Sequence, residues 1–296
     1  MTITAIGETV LDIVLQGMEA DVVPGGSSFN TMISLGRTLG RDFPEILLRM
    51  VSQIGDDHVG DIVLSFMEKN RVCTDAMLRS RGQSTVSLAM LDEKKDAKYE
   101  FFRDRNMPSF QAPSLEFAPG DIVLFGSFFA INPETREQTR ALIRKARAAG
   151  ATVYYDINFR KGHDVNESLP QIEENIALSD IVRGSSEDIE ALYGTGRPAD
   201  IYEKHISPLC RNFICTKGAD ETEIFSPGFR KAYPVPPLGT LPESTIGAGD
   251  NFNAGTVYAL VKLGKLDWDA IVPIAHRFSA NVVLSKFNYV DEDFRC

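Results

Sequence analysis

The sequence predicts an α/β protein: a mostly parallel sheet covered by helices on both faces, with a small β appendage. Three observations predict it. Short apolar strand patterns alternate with amphipathic helix patterns over most of the 296 residues, as a parallel sheet with helical crossovers requires. Two extended segments within residues 83–103 break that alternation and read as an antiparallel hairpin. Small-residue turns, Pro24-Gly25-Gly26 and Gly247-Ala248-Gly249, stand directly before helical patterns near the two ends of the chain.

In order, the chain opens with a strand from Ile3 to Gly7 and a second from Val10 to Leu15. "PGGSSFNTMISLGRTLG" is a glycine turn and then a helix, with Phe29, Ile33 and Leu39 among its buried positions. "EILLRMVSQIG" is apolar almost throughout and reads as a buried strand; "DDHVGDIVLSFMEKN" is an amphipathic helix. The hairpin follows, "STVSLAMLD" and "AKYEFFR" around a charged turn from Glu93 to Asp96. From Gly120 the alternation is regular. "GDIVLFGS" is a strand, and "PETREQTRALIRKARAAG" is a helix with Pro133 near its start and Gly150 past its end. "ATVYYDIN" and "SDIVRGS" are strands, "SEDIEALYG" is a short helix and "NFICTKG" a strand, with two short strands around Phe225 and Tyr233. "AGDNFNAGTVYALVKLG" and "DAIVPIAHRFSANVVLSKF" are the closing helices.

Composition narrows the function classes. Apolar residues make up 43% and charged residues 24%, which suits a soluble globular protein with a sizeable core. The formal net charge is −10 and no basic run occurs, so nucleic acid is not an expected partner. A phosphate site would then be locally positive, through helix N-termini, a few Arg or Lys, or a metal. Cys73, Cys210, Cys215 and Cys296 form no CxxC, and His58, His163, His205 and His276 show no metal spacing. The cysteines read as reduced thiols of a cytoplasmic protein, Cys215 in the core. The N-terminus has no basic start and carries Glu8 and Asp12, so neither a signal peptide nor a membrane span is expected. P-loop, protein-kinase and GxGxxG signatures are absent.

The chemistry concentrates in the small-residue turns. A helix start presents free N–H groups and the positive end of the helix dipole, and glycines let backbone approach a ligand. Gly247-Ala248-Gly249 before a helix therefore fits an anion hole. Asp250 would repel the anion, so its fitting role there is to take a proton from an attacking hydroxyl. Taken alone, the same residues also fit a helix cap behind a tight turn. "PGGSSFN" repeats the device with Asn30, a donor and acceptor, one turn into the helix. Asp12, on an early strand, is either a ligand for two sugar hydroxyls or a solvated acid at a strand end.

"PGGSSFN", "SQIGDDHVGD", "DINFR", "TKG" and "TIGAGDNFNAG", in that order, resemble the ribokinase-like (PfkB) carbohydrate kinase family, which contains ribokinases, fructokinases, ketodeoxygluconate kinases and nucleoside kinases. The match in order and spacing runs from Ile6 to about Phe287. The resemblance implies one ribokinase-like α/β domain over residues 1–296, with a β-sheet lid formed by about 10–24 and 83–105. It implies transfer of a phosphoryl group from ATP, carrying Mg2+, to a hydroxyl of a small sugar. It makes Asp250 the catalytic base and Gly247, Ala248 and Gly249 the anion hole. Asp12, Gly25, Gly26 and Asn30 would line the sugar site. Thr216 and Gly218 would meet the nucleotide, with Asn281 near the adenine. Asp156, Asn158 and Arg160 would sit at a strand mouth, where open α/β sheets place ligands, with Arg160 contacting phosphate or substrate. Arg103 resembles a lid arginine that reaches a substrate hydroxyl or carboxylate, and equally fits a surface arginine on a lid strand.

The chain departs from the family pattern in three places. Ser244-Thr245 replaces the usual Asp-Thr, and serine is a weaker ligand, so monovalent-cation activation is doubtful. The nucleotide-side Asn-x-x-Glu is Ser185-x-x-Asp188, which leaves the ordering of Mg2+ to Asp188, through water, or to Glu187. The usual Gly-Ala after the last helix is Asn288-Tyr289. Among acceptors, fructose-like hexoses rank first, keto-deoxy sugar acids next and ribose after that; Arg79, Arg81, Arg103 and Arg105 keep a sugar phosphate open. A catalytically silent binding protein on the same fold is the reading from another class. The apolar lid residues Val86, Leu88, Met90, Phe101 and Phe102 point to a homodimer through the lid.

Overall fold

The computed structural model of the chain describes residues 1–91, 97–159 and 163–296. In chain order its elements are β1 (Thr2–Ile6), β2 (Val10–Gln16), β3 (Glu19–Gly25), α1 (Ser27–Asp42), β4 (Leu47–Gly55), α2 (His58–Lys69), β5 (Met77–Ser80), β6 (Val86–Leu91) and β7 (Ala97–Phe102). Next come β8 (Ile122–Gly126), α3 (Arg136–Ala148), β9 (Thr152–Asp156), α4 (Val165–Ala177), β10 (Ile181–Ser185), α5 (Ser186–Tyr193) and α6 (Pro198–Ile201). The chain closes with β11 (Asn212–Lys217), β12 (Glu221–Ser226), β13 (Phe229–Pro234), α7 (Ala248–Leu263) and α8 (Trp268–Val283). They fall into two compact units, Met1–Ile6 with Ser114–Pro237, and Gly7–Pro113 with Leu238–Cys296.

The first unit is a sheet in the order β13-β12-β11-β10-β9-β8-β1. From β1 to β11 neighbours are parallel; β12 and β13 turn back antiparallel. The parallel strands are buried nearly end to end, with Val123, Tyr155, Val182 and Ile214 fully enclosed. That explains their unbroken apolar runs: a strand covered on both faces has no solvent side to mark with polar residues. Helix α3 buries Thr139, Leu142, Ile143 and Ala146, the i, i+3, i+4, i+7 stripe of a helix lying on a sheet. Cys215 is buried in β11, as expected, and burial pushes its thiol pKa up to about 12.

The second unit holds the parallel pair β4–β5 and a separate four-stranded sheet, β3-β2-β6-β7. In that sheet β2 pairs antiparallel with β3 and parallel with β6, and β6 pairs antiparallel with β7. The expected hairpin is therefore β6–β7; its charged turn, Glu93 to Asp96, lies outside the described residues. Asp12, Ser87 and Phe101 are cross-strand partners on one face, while Ile13, Leu88 and Val22 share the other. Helix α7 is buried almost all round from Asn251 to Ala259, as expected of a helix at the centre of a packed unit. It crosses α8 at Gly255, where a β-carbon would stand 2.6 Å from the Ala275 Cα. The segment after α8 is tied down by arginines: Arg37 donates to the Val290 carbonyl, Arg41 to that of Phe294 and Arg277 to that of Arg295. The Arg37 guanidinium also stacks on Tyr289, 4.7 Å from its ring centre.

Four elements lie beyond the sequence expectation: β3 as a strand of its own, β5, α4 and α6. Helix α4 carries Pro170 in its second turn and only Ile172 and Ile176 as buried aliphatics, so its period is faint. Its start is nevertheless well made, because Asp164 caps the Asn166 and Glu167 amides. Strand β3 is exposed over its first four residues and buried only at Val23-Pro24-Gly25, which hides any alternation. No helix among the described residues is long and apolar enough to cross a membrane.

Candidate active site

The start of α7 is the centre of the site. Gly247 is its N-cap in the left-handed region, φ +79°. A β-carbon there would come within 2.7 Å of the Asn288 carbonyl oxygen, so both conformation and space require glycine. The Ala248 amide donates to Thr245 O and the Asn251 amide to Gly247 O. Between them the Gly249 and Asp250 amides have no carbonyl to meet, as at any helix start. Of the expected anion hole, Gly247, Ala248 and Gly249, the Ala248 amide is thus already given to Thr245, while the Gly249 amide meets no carbonyl of the described residues.

Asp250 is half-buried and its carboxylate is aimed by α1. Ser27 Oγ donates to one oxygen at 2.6 Å and Asn30 Nδ2 to the other at 2.8 Å. Thr31 Oγ1 donates to the Asp250 carbonyl at 2.9 Å. Since a carboxylate only accepts, Asn30 must turn its NH2 toward Asp250. That leaves Asn30 Oδ1 buried with no partner among the described residues. Asn30, expected in the sugar site, thus also orients the Asp250 carboxylate.

Asp12 is 4% exposed, so it is no solvated acid. Ser87 Oγ donates to its Oδ1, and Asn288 Nδ2 to its Oδ2 at 3.2 Å. A β-carbon on Gly25 would fall 2.1 Å from Asp12 Oδ2, and one on Gly26, at φ +114°, 2.3 Å from the Glu8 carbonyl oxygen. The Pro-Gly-Gly turn is therefore the space into which the Asp12 carboxylate fits. Arg103 donates to the Glu8 carboxylate through Nε and NH2, at 2.9–3.1 Å, and lies over Phe101 at 4.5 Å.

In the first unit, the ends of β9, β10 and β11 gather a buried charge cluster. Arg183 donates to Asp156 Oδ1 at 3.1 Å and to Thr216 Oγ1 at 2.7 Å. Burial opposes the guanidinium's charge, but Asp156 and Asp188 outweigh it and hold its pKa above the ordinary value. Asp188 closes a capping box at the start of α5 with Ser185, and its Oδ1 accepts from the Phe159 amide at 2.8 Å. Burial raises its pKa against the pull of Arg183. Ser185 and Asp188 are thus seen as a helix cap, the Asp188 carboxylate already accepting from three protein donors. Gly218 turns the chain from β11 into β12 at φ +54°. Asn158 has φ +39° and Ser127 +54°, two strained non-glycine residues just past β9 and β8. Arg160 lies outside the described residues. In the second unit, Asn281 exchanges hydrogen bonds with Asp291, through its side chain in both directions at 2.9 Å. Ser244 Oγ accepts the Ile246 amide at 3.1 Å, inside its own turn.

Sequence reasoning missed Ser27, Ser87, Asn251 and Arg183, and marked Asn288 only as a departure from the family pattern. Asn251 is fully buried; Nδ2 spans the carbonyl oxygens of Gly247 and Asn288, 2.8 Å each, and Oδ1 accepts from Ser34. It therefore pins the glycine turn to the last loop. The residue itself stood in plain view after Asp250, but an asparagine in a helix carries no label for a tertiary tether.

Comparison with known proteins follows this geometry. The profile described as pfkB family carbohydrate kinase matches residues 1–289. A fructokinase of Vibrio alginolyticus is 24% identical over 272 residues, covering 88% of this chain and 84% of that protein. The 2-dehydro-3-deoxygluconokinase of Escherichia coli K12 is 25% identical over 279 residues, 88% of each chain. The crystal structure of a fructokinase from Vibrio cholerae O395, in fructose-, ADP- and calcium-bound form, superposes with a TM-score of 0.83 at 20% identity, over 97% of this chain and 94% of that one.

Proposed function

The chain belongs to the pfkB family of carbohydrate kinases, and on that premise we propose that its acceptor is a neutral, fructose-like hexose and its donor ATP. The observation that carries the proposal is the Asp250 carboxylate, aimed by Ser27 and Asn30 beside the unpaired Gly249 and Asp250 amides. Asp250 accepts the proton of the sugar hydroxyl as its oxygen bonds to the γ-phosphorus; the bond from that phosphorus to the bridging oxygen breaks and ADP leaves. The amides at the α7 start meet the charge on the transferring group. Asp12 and the Asn30 amide oxygen, both acceptors, receive other hydroxyls of the sugar.

A neutral acceptor is supported by the arginines. Arg103 already faces a carboxylate of the protein, that of Glu8, and Arg79 faces Asp56 and Asp61. Two of the four arginines expected to receive a sugar acid or a sugar phosphate, Arg79 and Arg103, are thus compensated within the chain. The similarity to a fructokinase supports the same choice.

ATP supplies the phosphoryl group, and Mg2+ neutralises its charge when the pair is bound. Among the described residues no three His, Cys, Asp or Glu side chains gather as a metal cage. Thr216 and Gly218 are proposed to meet the nucleotide on the side where Ser185 and Asp188 shape the α5 cap, and Asn281 is proposed near the adenine. With Ser244 turned into its own loop, we propose no monovalent-cation requirement. Four unpaired cysteines suit a cytoplasmic setting. The exposed Val22 and Phe102 on the lid sheet suit a homodimer.

ADP release with Mg-ATP across a panel of sugars, beside Asp250→Asn, tests the proposal. Turnover on a neutral ketohexose is expected, falling by roughly 10²–10⁴-fold or more in the variant. An equally active variant would overturn the assignment of the base.

A further inference from the structure

Asn288 stands where the resembled family carries glycine, so its side chain is an addition to this chain's site. Three observations locate it. Its Nδ2 donates to Asp12 Oδ2 at 3.2 Å, and lies 3.6 Å from where a β-carbon on Gly25 would be. Its backbone oxygen accepts from Asn251 and lies against Gly247, the N-cap of α7. The residue is 3% exposed, and with Nδ2 given to Asp12 its Oδ1 is the atom of the amide that is turned from that carboxylate. It thus joins the carboxylate expected to hold sugar to the turn expected to hold phosphate.

The groups around it share one character. Asp12 and Asp250 are acceptors, Asn30 Oδ1 is buried without a donor among the described residues, and Asn288 Oδ1 is a second amide oxygen beside them. A buried acceptor without a donor is unfavourable. It is best satisfied here by a ligand bearing several hydroxyls and no negative charge. The orientation of the Asn288 amide is fixed by Asp12: facing a carboxylate, it must present NH2 to Asp12 and keep its oxygen for another donor.

We propose that Asn288 is a specificity-determining residue of the acceptor site, receiving one sugar hydroxyl on Oδ1 while its NH2 holds Asp12. The proposal rests on the neutral-sugar reading and adds to it the residue that selects one hydroxyl. Removing the amide deletes that contact and frees Asp12 to turn, but leaves the backbone contacts with Asn251 and Gly247 in place.

The test compares wild type with Asn288→Ala and Asn288→Asp on the accepted sugar and its monodeoxy analogues, with KM for sugar and for ATP and a thermal melt for each. In Asn288→Ala, KM for the sugar is expected to rise about tenfold, the loss of one hydrogen bond, with KM for ATP within about twofold. That penalty is expected to vanish on one monodeoxy analogue, which lacks the partner hydroxyl. The nearly isosteric Asn288→Asp sets two carboxyls side by side, so its sugar KM should be high at neutral pH and fall as the pH is lowered and one carboxyl protonates. It provides the reading should the alanine variant fail to fold. A penalty equal on every analogue, a shift in KM for ATP instead, or an Asn288→Asp variant without recovery in acid would overturn the assignment and leave the neutral-sugar reading standing. Turnover confined to sugar acids or sugar phosphates would overturn both.

Discussion

Gly25 and Gly247 show how narrowly single residues are fixed. At Gly25 a methyl group would land on the Asp12 carboxylate; at Gly247 it would meet the Asn288 carbonyl and also demand a left-handed backbone. The second costs about 1–2 kcal/mol for conformation alone. Gly247→Ala should therefore lower kcat by roughly 10–10²-fold through a displaced anion hole, with a smaller change in sugar KM than Gly25→Ala produces. Steady-state kinetics of the two variants checks that split. At this scale the sequence was informative for the glycine turns, because a left-handed or closely approached backbone position admits little else. It was silent on Ser27 and Ser87 and marked Asn288 only as a departure from the family pattern, because their partners are 75 or more positions away. Arg103 was left between two roles by its residues alone, and its Glu8 partner, 95 positions earlier, is what decides its charge balance.

Among elements, the α7–α8 crossing is the tightest. Gly255 lets α7 approach the Ala275 backbone, and Gly255→Val should cost about 1–3 kcal/mol by overpacking, seen as a lower midpoint in urea. Helix α8 also buries His276 beside Phe252. Burial lowers its pKa from 6.5. The unfolded chain then takes up this proton first, so the contribution of His276 is present above about pH 6.5 and is lost as pH falls. Replacing it by Leu should flatten the pH dependence of stability between about pH 7 and 5, measured against wild type by denaturant titration. Elements with a strong period, such as α3 and α7, could be read directly. Helix α4 and strand β3 could not, because a proline and an exposed edge erase the pattern while distant packing keeps the structure.

At the scale of the whole molecule, the four-stranded sheet has two outer strands, β3 and β7, and exposes Val22 and Phe102 at 58% each. Those are large apolar groups to leave in water. Light scattering should give twice the chain mass of 32.7 kDa, and Phe102→Lys should return it toward one. A single chain mass for the wild type would remove the dimer. The alternation of strand and helix foretold the sheet of the first unit, and the β6–β7 hairpin foretold the second sheet. The division into two compact units was not legible, since each unit is assembled from segments far apart in the chain.

The arginine clamps on the last residues have a practical consequence. Val290, Phe294 and Arg295 are gripped through their carbonyl oxygens, immediately beyond the loop that carries Asn288. Loosening those three grips would thus be felt at the Asn288 loop before it is felt where α7 and α8 pack together.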